Sequence, residues 1–252
     1  MSNVSYDYSD RVVFVTGGAR GIGRAICEAF AASGAQVVTC ARREPEEPFS
    51  SPKIAFHSID IRDDKQTEAF LAKIAEQYGR LDVLVNNAGG SPLAPSETAS
   101  VGFTQKVIAL NLTAPLVLSS QAHRYLAKQR GASIINIASI SDLRPSPGTS
   151  AYGAAKAGLV NASRSLAQEW GPEIRINSII CGMVATELTA EHYGSDESMQ
   201  SIESTIGMKR FGKPGDVAQA CLYLASDGAA YASGAALEVH GGGEIALSVQ
   251  KS

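Results

Sequence analysis

Residues 11–40 read RVVFVTGGARGIGRAICEAFAASGAQVVTC, and this stretch decides the fold. Arg11–Thr16 is a short β-branched run and predicts a buried strand. Gly17–Gly23 (GGARGIG) follows at once. Arg24–Ser33 then shows helical periodicity and stops at Gly34, and Gln36–Cys40 is a second strand. Strand, glycine-rich turn, helix and strand make the βαβ context of a dinucleotide-binding crossover. Glycines let the backbone turn tightly and approach a pyrophosphate, and a helix start offers free N–H groups and a positive dipole end. The spacing Gly17-x-x-x-Gly21-x-Gly23 differs from the usual G-x-G-x-x-G, and a plain βα turn also uses glycine. The turn alone therefore assigns no ligand.

Working outward, the pattern repeats. Arg42–Lys53 is a polar loop, Ile54–Ile59 a third strand closed by Asp60, and Asp63–Tyr78 an amphipathic helix. Leu81–Val85 is a fourth strand running into Asn86-Asn87-Ala88-Gly89. Glu97–Leu110 and Asn111–Lys128 read as two helices, with Pro115 tolerated in the first turn of the second. Ser133–Ala138 (SIINIA) is a fifth buried strand ending at Ser139. Ser150–Ala167 reads as helix, Ile174–Ile180 as a sixth strand, Pro214–Ala225 as helix and Ala235–His240 as a last strand. Cys181–Gly207 reads as a long irregular loop, the kind usually tied to function. Strands alternating with helices predict α/β, a doubly wound parallel sheet with helices on both faces. No internal repeat or linker divides the chain, so one domain is expected over 1–252, with a flexible tail at 1–10 and a substrate loop at about 187–208.

Tyr152 and Lys156 stand four residues apart on the predicted helix at 150–167, hence on one face. A fixed ammonium beside a phenol favours phenolate and brings a pKa near ~10 toward neutrality, where tyrosine can exchange protons. The Ser139 hydroxyl, at the end of a strand, could hold a carbonyl oxygen for that proton. Y-x-x-x-K is also common on ordinary helix surfaces.

Composition narrows the classes. Of 252 residues, 44% are hydrophobic and 19% charged, ordinary for a soluble globular protein. A formal net charge of -3 gives no electrostatic case for nucleic acid or anionic membrane. Cys27, Cys40, Cys181 and Cys221 form no C-x-x-C pair, and no metal site is expected. Their pattern, with no basic and apolar leader in MSNVSYDYSD, leads us to expect a cytoplasmic location. No apolar stretch is expected to reach a membrane span.

Thr16-Gly17-x-x-x-Gly21-Ile22-Gly23, Asp60, Asn86-Asn87-Ala88-Gly89, Asn111, Ser139, Tyr152 and Lys156 occur in that order. The ordered set resembles the classical short-chain dehydrogenase/reductase family, from about Val12 to Gly242. The resemblance implies an oxidoreductase moving hydride between a nicotinamide cofactor and an alcohol or carbonyl carbon. It implies Tyr152 as general acid/base, and Lys156 as the group that lowers its pKa and holds the nicotinamide ribose. Ser139 would orient the substrate oxygen, and Asn111, at a helix kink, would link Lys156 to solvent through water. Gly17, Gly21, Ile22 and Gly23 would cradle phosphate, Asp60 and Ile61 the adenine, Asn87, Ala88 and Gly89 the adenosine side. Val184 and Thr186 would contact the cofactor near its amide and phosphates. The family usually has Pro-Gly at Cys181-Gly182, so Cys181 could face the nicotinamide side. It usually has Asp where this chain has His240, which reads as a surface replacement at a subunit contact.

Cofactor choice is the most discriminating reading. The family's acidic position after the second strand, which selects NAD by its ribose hydroxyls, aligns with the uncharged Ala41. Arg42 follows it, and Arg20 precedes Gly21. Arginine forks suit a 2′-phosphate, so NADP(H) is expected over NAD(H). Glu44, Glu46 and Glu47 could pair with Arg42 or Arg43 and blunt the effect. The leading function is an NADP(H)-dependent reductase of a small-molecule ketone. A 3-oxoacyl-acyl-carrier-protein reductase and a reductase of steroids or other bulky ketones stay open. Tyr193, Met199, Ile202 and Ile206 are expected to form an apolar lid. A non-enzymatic dinucleotide sensor would be expected to have lost part of the Ser/Tyr/Lys set, all of which is present. The family resemblance implies a homotetramer, and helix 150–167 carries small and apolar groups all round (Ala157, Val160, Ala162, Ser165, Leu166), the mark of an interface, so a homotetramer or at least a dimer is expected.

Overall fold

The computed structural model describes residues 4–187 and 195–244. Seven parallel strands form one sheet: β1 (Val12–Thr16), β2 (Gln36–Ala41), β3 (Ile54–Ser58), β4 (Val83–Asn86), β5 (Ala132–Ser139), β6 (Ile174–Cys181) and β7 (Ala236–Val239). Their order is β3-β2-β1-β4-β5-β6-β7. The order reverses between β1 and β4, and at such a switch point the crevice beyond the strand C-termini is where ligands bind.

The strands read as unbroken apolar runs because both faces are covered. Val13, Val15, Val37, Ile135, Ile137 and Ile179 face one core, closed by α1 (Gly21–Ala32) and α7 (Pro214–Ala225). Val12, Phe14, Val38, Leu84, Ile134 and Ile176 alternate to the other core, under α2 (Asp64–Tyr78) and α4 (Ala114–Leu126). A buried polar chain crosses the sheet. The Asn86 amide donates to Ser119 Oγ (3.0 Å) and Asn136 Oδ1 (2.8 Å), Asn136 Nδ2 donates to Ser163 Oγ (2.8 Å), and Ser178 Oγ donates to the same hydroxyl (3.0 Å). Most buried polar groups are so satisfied, and these bonds lock β4, β5 and β6 to α4 and to α5 (Ser150–Glu169).

Four expectations change. The two helices expected between 97 and 128 are one continuous helix: α3 (Val101–Ile108), a π turn at Ala109–Thr113, then α4. Pro115 has no N–H to give the carbonyl of Asn111, four residues back, and its ring crowds that carbonyl; a wider turn relieves both. This helix, Val101–Leu126, is by length and composition apolar enough to cross a membrane, contrary to expectation, with 28% of its most apolar window buried. Its inner face, with Val107, Asn111, Ala114 and Leu118, packs into the protein. The stretch expected as an irregular loop holds α6 (Asp196–Thr205), started by the Ser195 hydroxyl accepting from the Ser198 N–H. The tail expected to be flexible is docked: Tyr8 is buried, and its hydroxyl donates to the Leu222 carbonyl at 2.5 Å. Residues 1–3, and Tyr193 of the expected lid, lie outside the described residues.

Candidate active site

The glycine-rich turn leaves β1 at the switch point. Gly17 has φ +72°, and a Cβ there would sit 2.9 Å from Ala88 Cα. A Cβ on Gly23 would meet the Gly17 carbonyl oxygen at 2.2 Å. Neither position admits a side chain. The turn is tied to the end of β4. Thr16 Oγ1 accepts the N–H of Asn87 and of Ala88, both at 3.0 Å, and Asn87 Nδ2 donates to the carbonyls of Thr16 (2.9 Å) and Gly17 (3.2 Å). Helix α1 begins at Gly21, inside the motif, with no capping side chain and no acidic residue in its first turn. Its leading N–H groups lack a local acceptor, as a pyrophosphate site requires. Ile22 and Gly23 follow in that turn, and the chain after β6 brings Thr186 against Gly21, with Val184 bridged to Gly212.

Beyond β2 and β3 stand Asp60, Ile61 and Arg62. Arg62 grips the Asp60 carboxylate (Nη2–Oδ2 2.5 Å, Nε–Oδ1 2.9 Å), and this hydrogen bonding holds the Asp60 pKa below the usual carboxylate range. Arg62 belongs to no motif, so no sequence pattern marks it. The Ile61 side chain is buried in the second core. Arg20 and Arg42 are both exposed. The expected pairing of Arg42 or Arg43 with Glu44, Glu46 or Glu47 does not occur; among the described residues neither Arg20, Arg42 nor Arg43 is in an ion pair. Glu47 and Pro48 instead take Arg24 on their carbonyls.

On the far side of the crevice stand Asn111, Ser139, Tyr152 and Lys156. Asn111 is fully buried in the π turn: its Nδ2 donates to the carbonyls of Gly90 and Val107, and its Oδ1 accepts the Gly90 N–H, each at 2.9 Å. A Cβ on Gly89 would meet Asn111 Oδ1 at 2.7 Å and Lys156 Nζ at 3.1 Å, so Asn87-Ala88-Gly89 runs directly over these two groups. Ser139 ends β5 and accepts the Ser141 N–H at 3.2 Å. Gly153, next to Tyr152, lets the chain at Ser141 lie on α5, since a Cβ there would meet the Ser141 carbonyl oxygen at 2.8 Å. Lys156 is 3% exposed; its Nζ donates to the Ile137 carbonyl at 2.8 Å and lies 5.6 Å from the centre of the Tyr152 ring. Burial pushes its pKa down to about 8, with Cys181 and Asp142 partly opposing the fall.

Cys181 does not serve the nicotinamide side. It packs in the first core among Ile137, Ile179 and Cys221, and burial raises its thiol to about 12, an inert hydrophobe. His240 pairs with Glu238 (Nε2–Oε2 2.5 Å). No cluster that could hold a metal occurs among the described residues.

A family sequence model described as enoyl-(acyl carrier protein) reductase matches residues 17–244. The chain is 32% identical over 240 residues to the 3-oxoacyl-(acyl-carrier-protein) reductase of Thermotoga maritima, covering 92% of this chain and 97% of that protein. The chain belongs to the short-chain dehydrogenase/reductase family. This short-chain dehydrogenase/reductase is also similar to the 3alpha-hydroxysteroid dehydrogenase of Mediterraneibacter gnavus, at 33% identity over 92% of this chain and 96% of that one. Among solved structures it resembles the ligand-free aldohexose dehydrogenase of Thermoplasma acidophilum, with TM-score 0.88, 32% identity, and coverage of 93% and 94%. A short-chain dehydrogenase/reductase from Brucella melitensis aligns with TM-score 0.90 at 30% identity over 96% of this chain and all of that one. The enzyme is thus an oxidoreductase acting on CH–OH groups with a nicotinamide dinucleotide.

Proposed function

We propose that this enzyme is an NADP(H)-dependent reductase that converts a ketone to an alcohol, with Asn111, Ser139, Tyr152 and Lys156 as its working residues. The observation that carries the reading is Lys156: a buried ammonium, anchored on the Ile137 carbonyl beside the Tyr152 ring, with its pKa brought down to about 8. When bound, the cofactor supplies hydride to the carbonyl carbon. Ser139 holds the carbonyl oxygen, and Tyr152 gives that oxygen its proton. Lys156 stabilises the phenolate left behind and returns a proton, with Asn111 as the link toward solvent. Gly17, Gly21, Ile22, Gly23 and Thr186 hold the phosphates; Asp60, Ile61, Asn87, Ala88 and Gly89 line the adenosine side, with Val184 near the nicotinamide. Arg20 and Arg42 select the 2′-phosphate.

Two of the relatives' names are those of a 3-oxoacyl-(acyl-carrier-protein) reductase and a 3alpha-hydroxysteroid dehydrogenase, which supports a ketone or secondary alcohol as substrate. Exposed Leu93 and Leu143 on the loops after β4 and β5, and Met208 just after α6, favour an apolar one. Loss of NADPH absorbance across a panel of ketones, acetoacetyl thioesters and ketosteroids tests the reading; no turnover with any of them would refute it. The pH profile tests the relay. Lys156 is an ammonium below about 8 and an amine above it. The rate of ketone reduction with NADPH should therefore fall as pH rises through that value. A profile that stays flat well above it would remove Lys156 from the relay.

Four free cysteines support a reducing, cytoplasmic location. We also propose self-association as a homotetramer. Helix 101–126 is apolar yet little buried, with Val101 exposed, and on α5 the small residues Ala154 and Ala157 face outward. Val160, by contrast, packs inside the chain against Ala138 and Ile180. Light scattering at micromolar concentration should return the mass of a tetramer or at least a dimer; a monomer mass would exclude the interface.

A further inference from the structure

The start of α1 has an acceptor from a distant part of the chain. The Gly21 N–H donates to Glu187 Oε1 at 3.4 Å, across 166 positions of sequence. A Cβ placed on Gly21 would lie 3.7 Å from Glu187 Oε2, with Thr186 Cγ2 at 3.4 Å. No other side chain caps this helix, and Arg20 at the N-cap contributes none. Among the described residues Glu187 makes no other hydrogen bond or ion pair, so nothing else explains where it sits. A carboxylate there satisfies the helix dipole as an anionic ligand would.

We propose that the Glu187 carboxylate competes with the cofactor's phosphates for the Gly21 N–H at the start of α1, and so weakens cofactor binding. The inference rests on the assignment of the glycine-rich turn as the pyrophosphate site. Two anions cannot share the Gly21 N–H, so binding displaces Glu187 and leaves a negative side chain beside a negative ligand. The pyrophosphate wins because it presents more charge and more acceptor oxygens to the same donors. Glu187 is exposed, so solvent screening keeps the penalty modest. Because NADPH and NADH share the pyrophosphate, the penalty is the same for both. That separates Glu187 from Arg20 and Arg42, which act on only one of the two.

The test is calorimetric titration of the whole enzyme with NADPH and with NADH, without substrate, in wild type, Glu187→Gln and Glu187→Ala. Both variants should bind both dinucleotides about two- to fivefold more tightly than wild type. Unchanged or weaker binding in the variants, or tightening confined to one dinucleotide, would overturn the role of Glu187 while leaving the site assignment standing. If neither dinucleotide binds to any of the three proteins, the site assignment falls and this inference with it.

Discussion

Replacing Tyr152 with Phe should lower turnover by about two to four orders of magnitude, the usual worth of a positioned general acid. The substitution keeps the ring, which sits 5.6 Å from the Lys156 ammonium, and removes only the hydroxyl. Tyr152 lies in the first turn of α5, next to Gly153, where the Ser141 backbone rests on the helix. Cofactor affinity should therefore change little, and the whole loss should appear in kcat rather than in cofactor binding. The measurement is kcat with NADPH and a saturating ketone, alongside calorimetric affinity for NADPH. Near-normal turnover with an intact cofactor site would show that another group supplies the proton.

The wild-type enzyme should prefer NADPH to NADH by at least about tenfold in kcat/KM, since a charge-assisted contact is worth about 1.5–3 kcal/mol and tenfold in affinity costs about 1.4 kcal/mol. Ala41 offers the ribose no carboxylate, and Arg20 and Arg42 present exposed guanidinium groups that form no ion pair among the described residues. The double variant Arg20→Ala/Arg42→Ala should lose most of the preference by losing NADPH efficiency, with NADH use little changed. Steady-state kcat/KM for both cofactors with one ketone decides it. Equal use of both by the wild type, or a preference for NADH, would mean the two arginines are solvated surface groups.

Much of this was legible in the sequence, and the parts that were not have physical reasons. The strands were plain because a parallel sheet covered on both faces demands unbroken apolar runs such as Val12–Thr16 and Ser133–Ala138. The helix 101–126 read as two because its π turn shifts the apolar face by one residue; periodicity reads a phase shift as a boundary. The start of α1 was misplaced by three residues, since glycines at 21 and 23 look like loop when their purpose is close approach. Tyr152 and Lys156 were found from an i, i+4 spacing, which local geometry guarantees. The contacts of Arg62 with Asp60 and of Glu187 with Gly21 were not found. The first is a two-residue turn with no characteristic pattern, and the second joins positions too far apart for any local rule. Cys181 was misassigned because a strand end can point its side chain to either face, and the register beside Ser139 turns this one toward the core.

The packing of the glycine-rich turn bears on how such an enzyme can diversify. Gly17 and Gly23 have no spare volume around them; any added carbon strikes backbone. Arg20 and Arg42 are exposed, and among the described residues neither is in an ion pair. Mutational tolerance is thus split over a few ångströms: an interior frozen by sterics, and a rim free to drift. On the proposed assignment, cofactor preference would rest on side chains that one or two substitutions can change without disturbing the turn, whereas the close approach at Gly17 and Gly23 cannot be changed so.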